Sequence, residues 1–134
     1  MTVYTFAQIP NAIAKYEKRM ERVVKESAMR VAIEVKRRTR RKTGFLRASL
    51  LASTSNMPII DRDARPVEGV PYAEDNTQIA LVIAGASLGQ TIYLGFTASY
   101  ARPREFHDGM VRLTAQRWPV IVGEVVKDAL ARFP

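Results

Sequence analysis

Residues 11–38, NAIAKYEKRMERVVKESAMRVAIEVKRR, decide the fold. Ile13, Tyr16, Met20, Val23, Val24, Ser27, Ala28, Val31 and Val35 recur at three- and four-residue steps. At about 100° per residue this spacing gathers them into one apolar stripe, which predicts a long amphipathic helix running to about Arg38 or beyond. Its start carries two candidate signals, the T-x-x-Q box at Thr5–Gln8 and Pro10 followed by Asn11. Met29 and Ile33 fall outside the stripe and, four apart, stack on the other side of the same helix. They form a second, smaller patch, covered either by the protein's own domain or by another subunit.

Downstream, Lys36, Arg37, Arg38, Arg40, Arg41 and Lys42 place positive charge on every side of a helix. No face there is expected in the core, so the helix must end, fray or project. Cations near a helix C-terminus gain about 0.3–1 kcal/mol each from its dipole, which accounts for much of the run as capping and solvated surface. After Gly44, the residues Leu46, Ala48, Leu50, Ala52 and Thr54 alternate with Arg47, Ser49, Ser53 and Ser55, the period of a half-buried strand, with Leu51 the exception. Pro58, Pro66, Gly69 and Pro71 then break any periodicity from about Asn56 to Gln78. A connection of that length is usually functional or mobile.

Ile79–Ala84 is a continuous apolar run, and Ile92, Leu94, Phe96 and Ala98 alternate with Thr91, Tyr93, Gly95 and Thr97. With Gly85 and Gly89 between them, these runs predict a hairpin that the strand after Gly44 extends into a small antiparallel sheet. Helical spacing returns at Val111, Ala115, Trp118, Val122, Val125, Ala129 and Phe133, where Pro119 should kink the helix or split it after Trp118. The expected fold is one α+β domain over residues 1–134. A long N-terminal helix and a C-terminal helix pack on a small, mainly antiparallel sheet with a long loop.

The composition excludes more than it assigns. The apolar fraction of 47% and charged fraction of 25% are those of a folded globular chain. With no cysteine there is no disulfide, thiol nucleophile or cysteine–zinc site, which fits a cytosolic assembly environment. No apolar run approaches the roughly 20 residues of a membrane span, and Met1-Thr2-Val3-Tyr4 lacks the layout of a secretory signal. The net charge of +8 favours polyanions as neighbours.

The one histidine, in Glu105-Phe106-His107-Asp108, has no cluster of ligands to complete a site, and Asp108 is expected as a helix N-cap. Asp61-Arg62-Asp63 lacks the glycine and glutamate of a calcium loop. Gly85–Gln90 has its glycines one residue too close for a phosphate loop, and glutamine where lysine is needed. No catalytic residue, metal or cofactor is expected.

Two segments carry a functional reading: Thr43-Gly44-Phe45-Leu46-Arg47-Ala48-Ser49 and Tyr100-Ala101-Arg102-Pro103-Arg104-Glu105-Phe106. Together they resemble the small tail-component family of long-tailed bacteriophages. Its members carry a long N-terminal helix, a T-G-x-L-R-x-S segment, a late Y-A-x-x-x-E-F segment and a C-terminal helix. The order and approximate spacing match over essentially the whole chain. Val111–Pro119 is also similar to the C-terminal helix of phage members, although the glycine that follows the E-F pair directly in many relatives stands here after His107 and Asp108.

The resemblance implies a structural virion protein and not an enzyme. It would be a neck, head-tail joining, tail-completion or tail-terminator ring, six-fold and homo-oligomeric. Its other partners would be connector, neck or tail-tube proteins and DNA passing through the lumen without sequence specificity; its location would be the virion, with assembly in the host cytoplasm.

The motif residues Thr43, Gly44, Leu46, Arg47 and Ser49, and Tyr100, Ala101, Glu105 and Phe106, are read as mostly structural. Gly44 permits positive φ, Leu46 points into the core, and Arg47 on the opposite face is free to meet Glu105. Met29 with Ile33 is a candidate subunit contact, with a sheet edge or the long loop as the complementary patch. The run from Lys36 to Lys42 would line the channel, meet an acidic neighbouring ring or stay solvated. The alternative is a small basic nucleic-acid-binding module using that run as a phosphate stripe. No zinc finger, RNP-type strand or helix-turn-helix turn supports it.

Overall fold

The computed structural model describes residues 5–132. Helix α1 spans Ile9–Arg38, with Pro10 in its first turn, where a missing N–H costs nothing. The Thr5 amide donates to Gln8 Oε1 at 2.8 Å, so Thr5–Gln8 forms a turn just before the helix. At about 1.5 Å per residue, α1 is about 45 Å long. Its far half does what the stripe demands: Ser27, Ala28, Ala32 and Val35 are buried. Its near half does not. Ile13, Tyr16 and Met20 remain 52%, 57% and 58% exposed.

The basic run ends the helix at Arg38, as expected, but one of its cations lies inside. Lys36 is only 1% exposed, and its Nζ donates to Asn76 Oδ1 at 2.7 Å and to the Asp75 carbonyl at 3.4 Å. A long apolar stem lets a lysine cross the core when acceptors wait at the far end. The expectation that no face of this segment is buried is therefore corrected.

Strand content is smaller than the alternation suggests. Phe45–Ala48 is a short helix, α2, and the strand β1 is confined to Leu50–Ser53. It pairs antiparallel with β2, Tyr93–Phe96, in the register Leu50↔Phe96 and Ala52↔Leu94. The expected hairpin does not form, because Thr77–Gly85 is a helix, α3. A short apolar run fits a strand or a packed helix equally well. Here Ile79 and Ile83, one turn apart, are the buried pair, while Leu81 is 69% exposed.

Gln78 takes the place of the missing strand. Its Nε2 donates to the Ala52 carbonyl at 2.7 Å, and its Oε1 accepts from the Ala52 amide at 2.9 Å, so one side-chain amide satisfies the free edge of β1.

The chain between β1 and α3 has no regular element, in keeping with the predicted loop. It is pinned to the body at three backbone contacts: the amides of Asp61, Ser99 and Tyr72 donate to the carbonyls of Thr97, Ala64 and Thr43 at 2.9, 3.0 and 3.0 Å. Three helices follow β2: α4, Ala101–Asp108, which the spacing did not signal, and then α5, Met110–Gln116, and α6, Trp118–Arg132, into which the expected C-terminal helix divides. Gly109, at φ +63°, separates the first two. The second break falls at Arg117, one residue earlier than expected, so that Pro119 sits in the first turn of α6. Phe133 of the predicted stripe lies outside the described residues.

Arg30 ties α1 to α6, with Nη2 2.7 Å from Asp128 Oδ2 and 2.9 Å from Glu26 Oε1. The hydrogen bond from Arg30 holds the Asp128 carboxyl below its ordinary value of 3.8. A carboxyl depressed on folding stabilises above that ordinary value and loses its contribution as pH falls through the folded one. Asp128→Asn should therefore lower the thermal midpoint at pH 7, and the two midpoints should converge as pH falls below 3.8. A gap independent of pH would show that the ion pair contributes nothing.

Candidate functional site

The two motif segments meet where α1 ends. Thr39 closes the helix, its Oγ1 donating to the Val35 carbonyl at 2.7 Å, and Arg47 Nε donates to the Thr39 carbonyl at 2.8 Å. Arg47 is thus spent on an orphan carbonyl of the helix end. Glu105 lies elsewhere: its two carboxylate oxygens accept from the amides of Val111 and Arg112 at 2.8 and 2.9 Å, capping α5 across the Gly109 turn. The expected Arg47–Glu105 pairing is not made. Both side chains stabilise backbone ends instead.

Gly44 adopts φ +84°, and a Cβ there would stand 2.2 Å from the Tyr72 carbonyl oxygen. Around it, Thr43 Oγ1 accepts from the Phe45 amide at 3.2 Å, and Ser49 Oγ donates to the Leu46 carbonyl at 2.7 Å. Leu46 and Ala101 are buried. Phe45, which the sequence did not single out, holds the segments together, edge-on to Tyr72 at 5.0 Å and stacked on Tyr100 at 6.3 Å. Burial pushes the Tyr100 hydroxyl above its usual pKa. Phe106 departs from the structural reading: it is 81% exposed, touching the edge of His107.

Asp108 is not an N-cap; Gly109 holds that position for α5. Its buried carboxylate lies 3.2 Å from Arg40 and 3.8 Å from Arg104, joining the end of the basic run to α4. Beside this junction opens a cleft of about 1160 Å³ whose walls carry Arg40, Arg41, Lys42, Arg62, Arg65 and Arg104. The exposed run is correspondingly reduced. Lys36 is buried, with burial lowering its pKa against the opposing pull of Glu74 and Asp75, and Arg38 lies 3.8 Å from Glu34. Among the described residues no group of three or more histidine, cysteine, aspartate or glutamate side chains could hold a metal.

Of the candidate subunit patch, Met29 packs against the core while Ile33 is partly exposed. A larger apolar groove of about 590 Å³ lies between the near half of α1 and the far end of α6, lined by Tyr16, Met20, Val24, Val126 and Leu130.

Residues 8–102 match the family described as "Bacteriophage HK97-gp10, putative tail-component". The chain belongs to the HK97-gp10-like family. The match runs from the turn before α1 to the first residues of α4 and contains the Thr43–Ser49 segment whole, together with Tyr100 and Ala101. Glu105, Phe106 and the last two helices lie beyond it. No curated protein and no solved structure matched the chain. Family membership makes the protein a structural component of a phage tail.

Two stability measurements test the junction of the two motif segments. Gly44→Ala adds both a left-handed strain and a clash with backbone, and should cost roughly 2–5 kcal/mol in urea denaturation. Gly89→Ala, at φ +94° in open space, should cost only about 1–2 kcal/mol. Equal losses would mean that the Tyr72 approach is unimportant. In a double-mutant cycle, Arg47→Ala and Glu105→Ala should be additive to within about 0.5 kcal/mol; a larger coupling would restore the pairing expected from sequence.

Proposed function

We propose that this tail component forms a ring at the head-tail junction or the top of the tail, a neck, tail-completion or tail-terminator ring through which DNA passes. The observation that carries this reading is the uncovered half of the α1 stripe. One continuous apolar stripe is buried from Ser27 onward and exposed at Ile13, Tyr16 and Met20, beside an apolar groove against α6. Fully burying a side chain of this kind is worth about 1.5–3 kcal/mol, so a neighbouring subunit covering several of them gains substantially. Ile33 lies on the opposite side of α1, and two different patches on one subunit suit a head-to-tail contact that closes into a ring. Met29, turned toward the core, contributes less than its spacing implied.

The basic run supports the nucleic-acid-module reading less well than its sequence did. With Lys36 buried and Arg38 beside Glu34, the last turn of α1 offers fewer free cations than its sequence suggests. In a ring, DNA needs only an unobstructed lumen.

Light scattering behind a sizing column tests the proposal. The wild type, alone or mixed with connector and tail-tube proteins, should give a discrete species near six times the 15.1 kDa chain. Tyr16→Glu/Met20→Glu, at exposed sites, should leave a folded monomer. A wild-type monomer under every condition would overturn the ring, and a ring indifferent to the double substitution would remove α1 from its interface.

A further inference from the structure

We infer that the cleft between the two motif segments is a docking site for an acidic, extended stretch of polypeptide from a neighbouring protein. Its six cations come from three separated parts of the chain: Arg40, Arg41 and Lys42 beyond α1, Arg62 and Arg65 in the long loop, and Arg104 on α4. Of these cations, only Arg40 and Arg104 have a carboxylate within 4.0 Å among the described residues, and they share the same one, Asp108. Arg41, Lys42, Arg62 and Arg65 form no ion pair among the described residues. Asp61 and Asp63 flank Arg62 in sequence, but the Asp61 carboxylate turns into its own loop and accepts the Asp63 amide at 2.9 Å.

The cleft is held in shape before any partner arrives. Backbone hydrogen bonds from Asp61 to Thr97 and from Ser99 to Ala64 fix the wall that carries Arg62 and Arg65, and the bond from Tyr72 to Thr43 fixes the loop against the segment entering α2. Positive side chains preorganised around an uncompensated cavity bind an anionic partner with little ordering cost.

Two features favour a polypeptide over a nucleic acid. The cleft is concave, and at about 1160 Å³ exceeds the roughly 300–1,000 Å³ of small-ligand sites, which suits a run of several residues. A DNA duplex is a rod that reaches only the rim. The interior also presents apolar surface at Tyr100, Pro66 and Pro103, which a phosphate backbone leaves unused and which the alternate side chains of an extended peptide cover. Five of the six cations are arginines, whose planar fork matches a carboxylate with two parallel hydrogen bonds.

The test is fluorescence anisotropy with a labelled eight-residue peptide of alternating glutamate and leucine, and separately with a labelled 20-base-pair duplex. The wild-type chain should bind the peptide, and Arg41→Ala/Arg62→Ala/Arg65→Ala should weaken it at least about tenfold. Lys18→Ala/Arg112→Ala/Lys127→Ala removes the same charge away from the cleft and should weaken binding no more than about twofold. Both triple variants should keep the wild-type thermal midpoint. Equal weakening by the two variants would reduce the effect to net charge and overturn the site, as would a wild type that does not bind the peptide. Duplex binding tighter than peptide binding, and dependent on the same three arginines, would overturn it in favour of nucleic acid. None of these outcomes depends on ring formation, so the ring and the cleft stand or fall separately.

Discussion

The carbonyl oxygen of Tyr72 stands 2.2 Å from the point where residue 44 would carry a Cβ, and much of the molecule is arranged around that approach. It can be so close only because residue 44 is glycine, and only because φ of +84° turns the chain sharply after α1. Once the loop lies there, the Tyr72 amide reaches the Thr43 carbonyl and the Tyr72 ring meets Phe45, which in turn stacks on Tyr100 at the start of α4. A single steric permission therefore joins the end of the first helix, the long loop and the entry to the C-terminal helices. It also sets one wall of the basic cleft, since Thr43, Gly44 and Tyr100 all border it.

The same junction solves a second problem, the orphan polar groups where a long helix ends inside a protein. Thr39 and Lys36 are both buried at the last turn of α1. Thr39 returns its hydroxyl to Val35, Arg47 covers the Thr39 carbonyl, and Lys36 runs through to Asn76 and Asp75 at the entry to α3. A buried cation is costly unless acceptors meet it, and the cost shows in its lowered pKa. The segment read from sequence as all surface is in part a polar strut between α1 and the loop.

What was legible in the sequence follows from the range over which each signal acts. The α1 stripe and the Pro119 break are local: thirty residues of periodicity and one missing donor suffice to read them. The two-stranded pairing was half legible, because alternation marks β2 but overran β1 into what is the helical turn Phe45–Ala48. Helix α3 was not legible as a helix, since six consecutive apolar residues carry no period. What settles the matter is the bond from Gln78 to Ala52, a contact 26 residues apart. The expected long-range pairing gave way to local ones, Arg47 taking the Thr39 carbonyl eight residues back and Glu105 the Val111 amide six residues on, whereas Arg62 and Arg65 joined a basic run some twenty residues away. Phe45 and Tyr72 left a faint signal, an aromatic inside the T-G-x-L-R segment and the one aromatic residue of the loop, directly after Pro71.

The departure that bears most on function is one of cover and not of conformation. The α1 stripe is continuous in sequence, and the helix is continuous in space, yet the domain reaches only the half that begins near Ser27. A solitary protein has no physical reason to keep Ile13, Tyr16 and Met20 in register with buried residues further along, since exposed positions on a helix are as stable with polar side chains as with apolar ones. An assembly has such a reason, because the stripe that organises one subunit can then be completed by the next. On that argument the uncovered near half of the stripe is the surface that the proposed ring contact would complete.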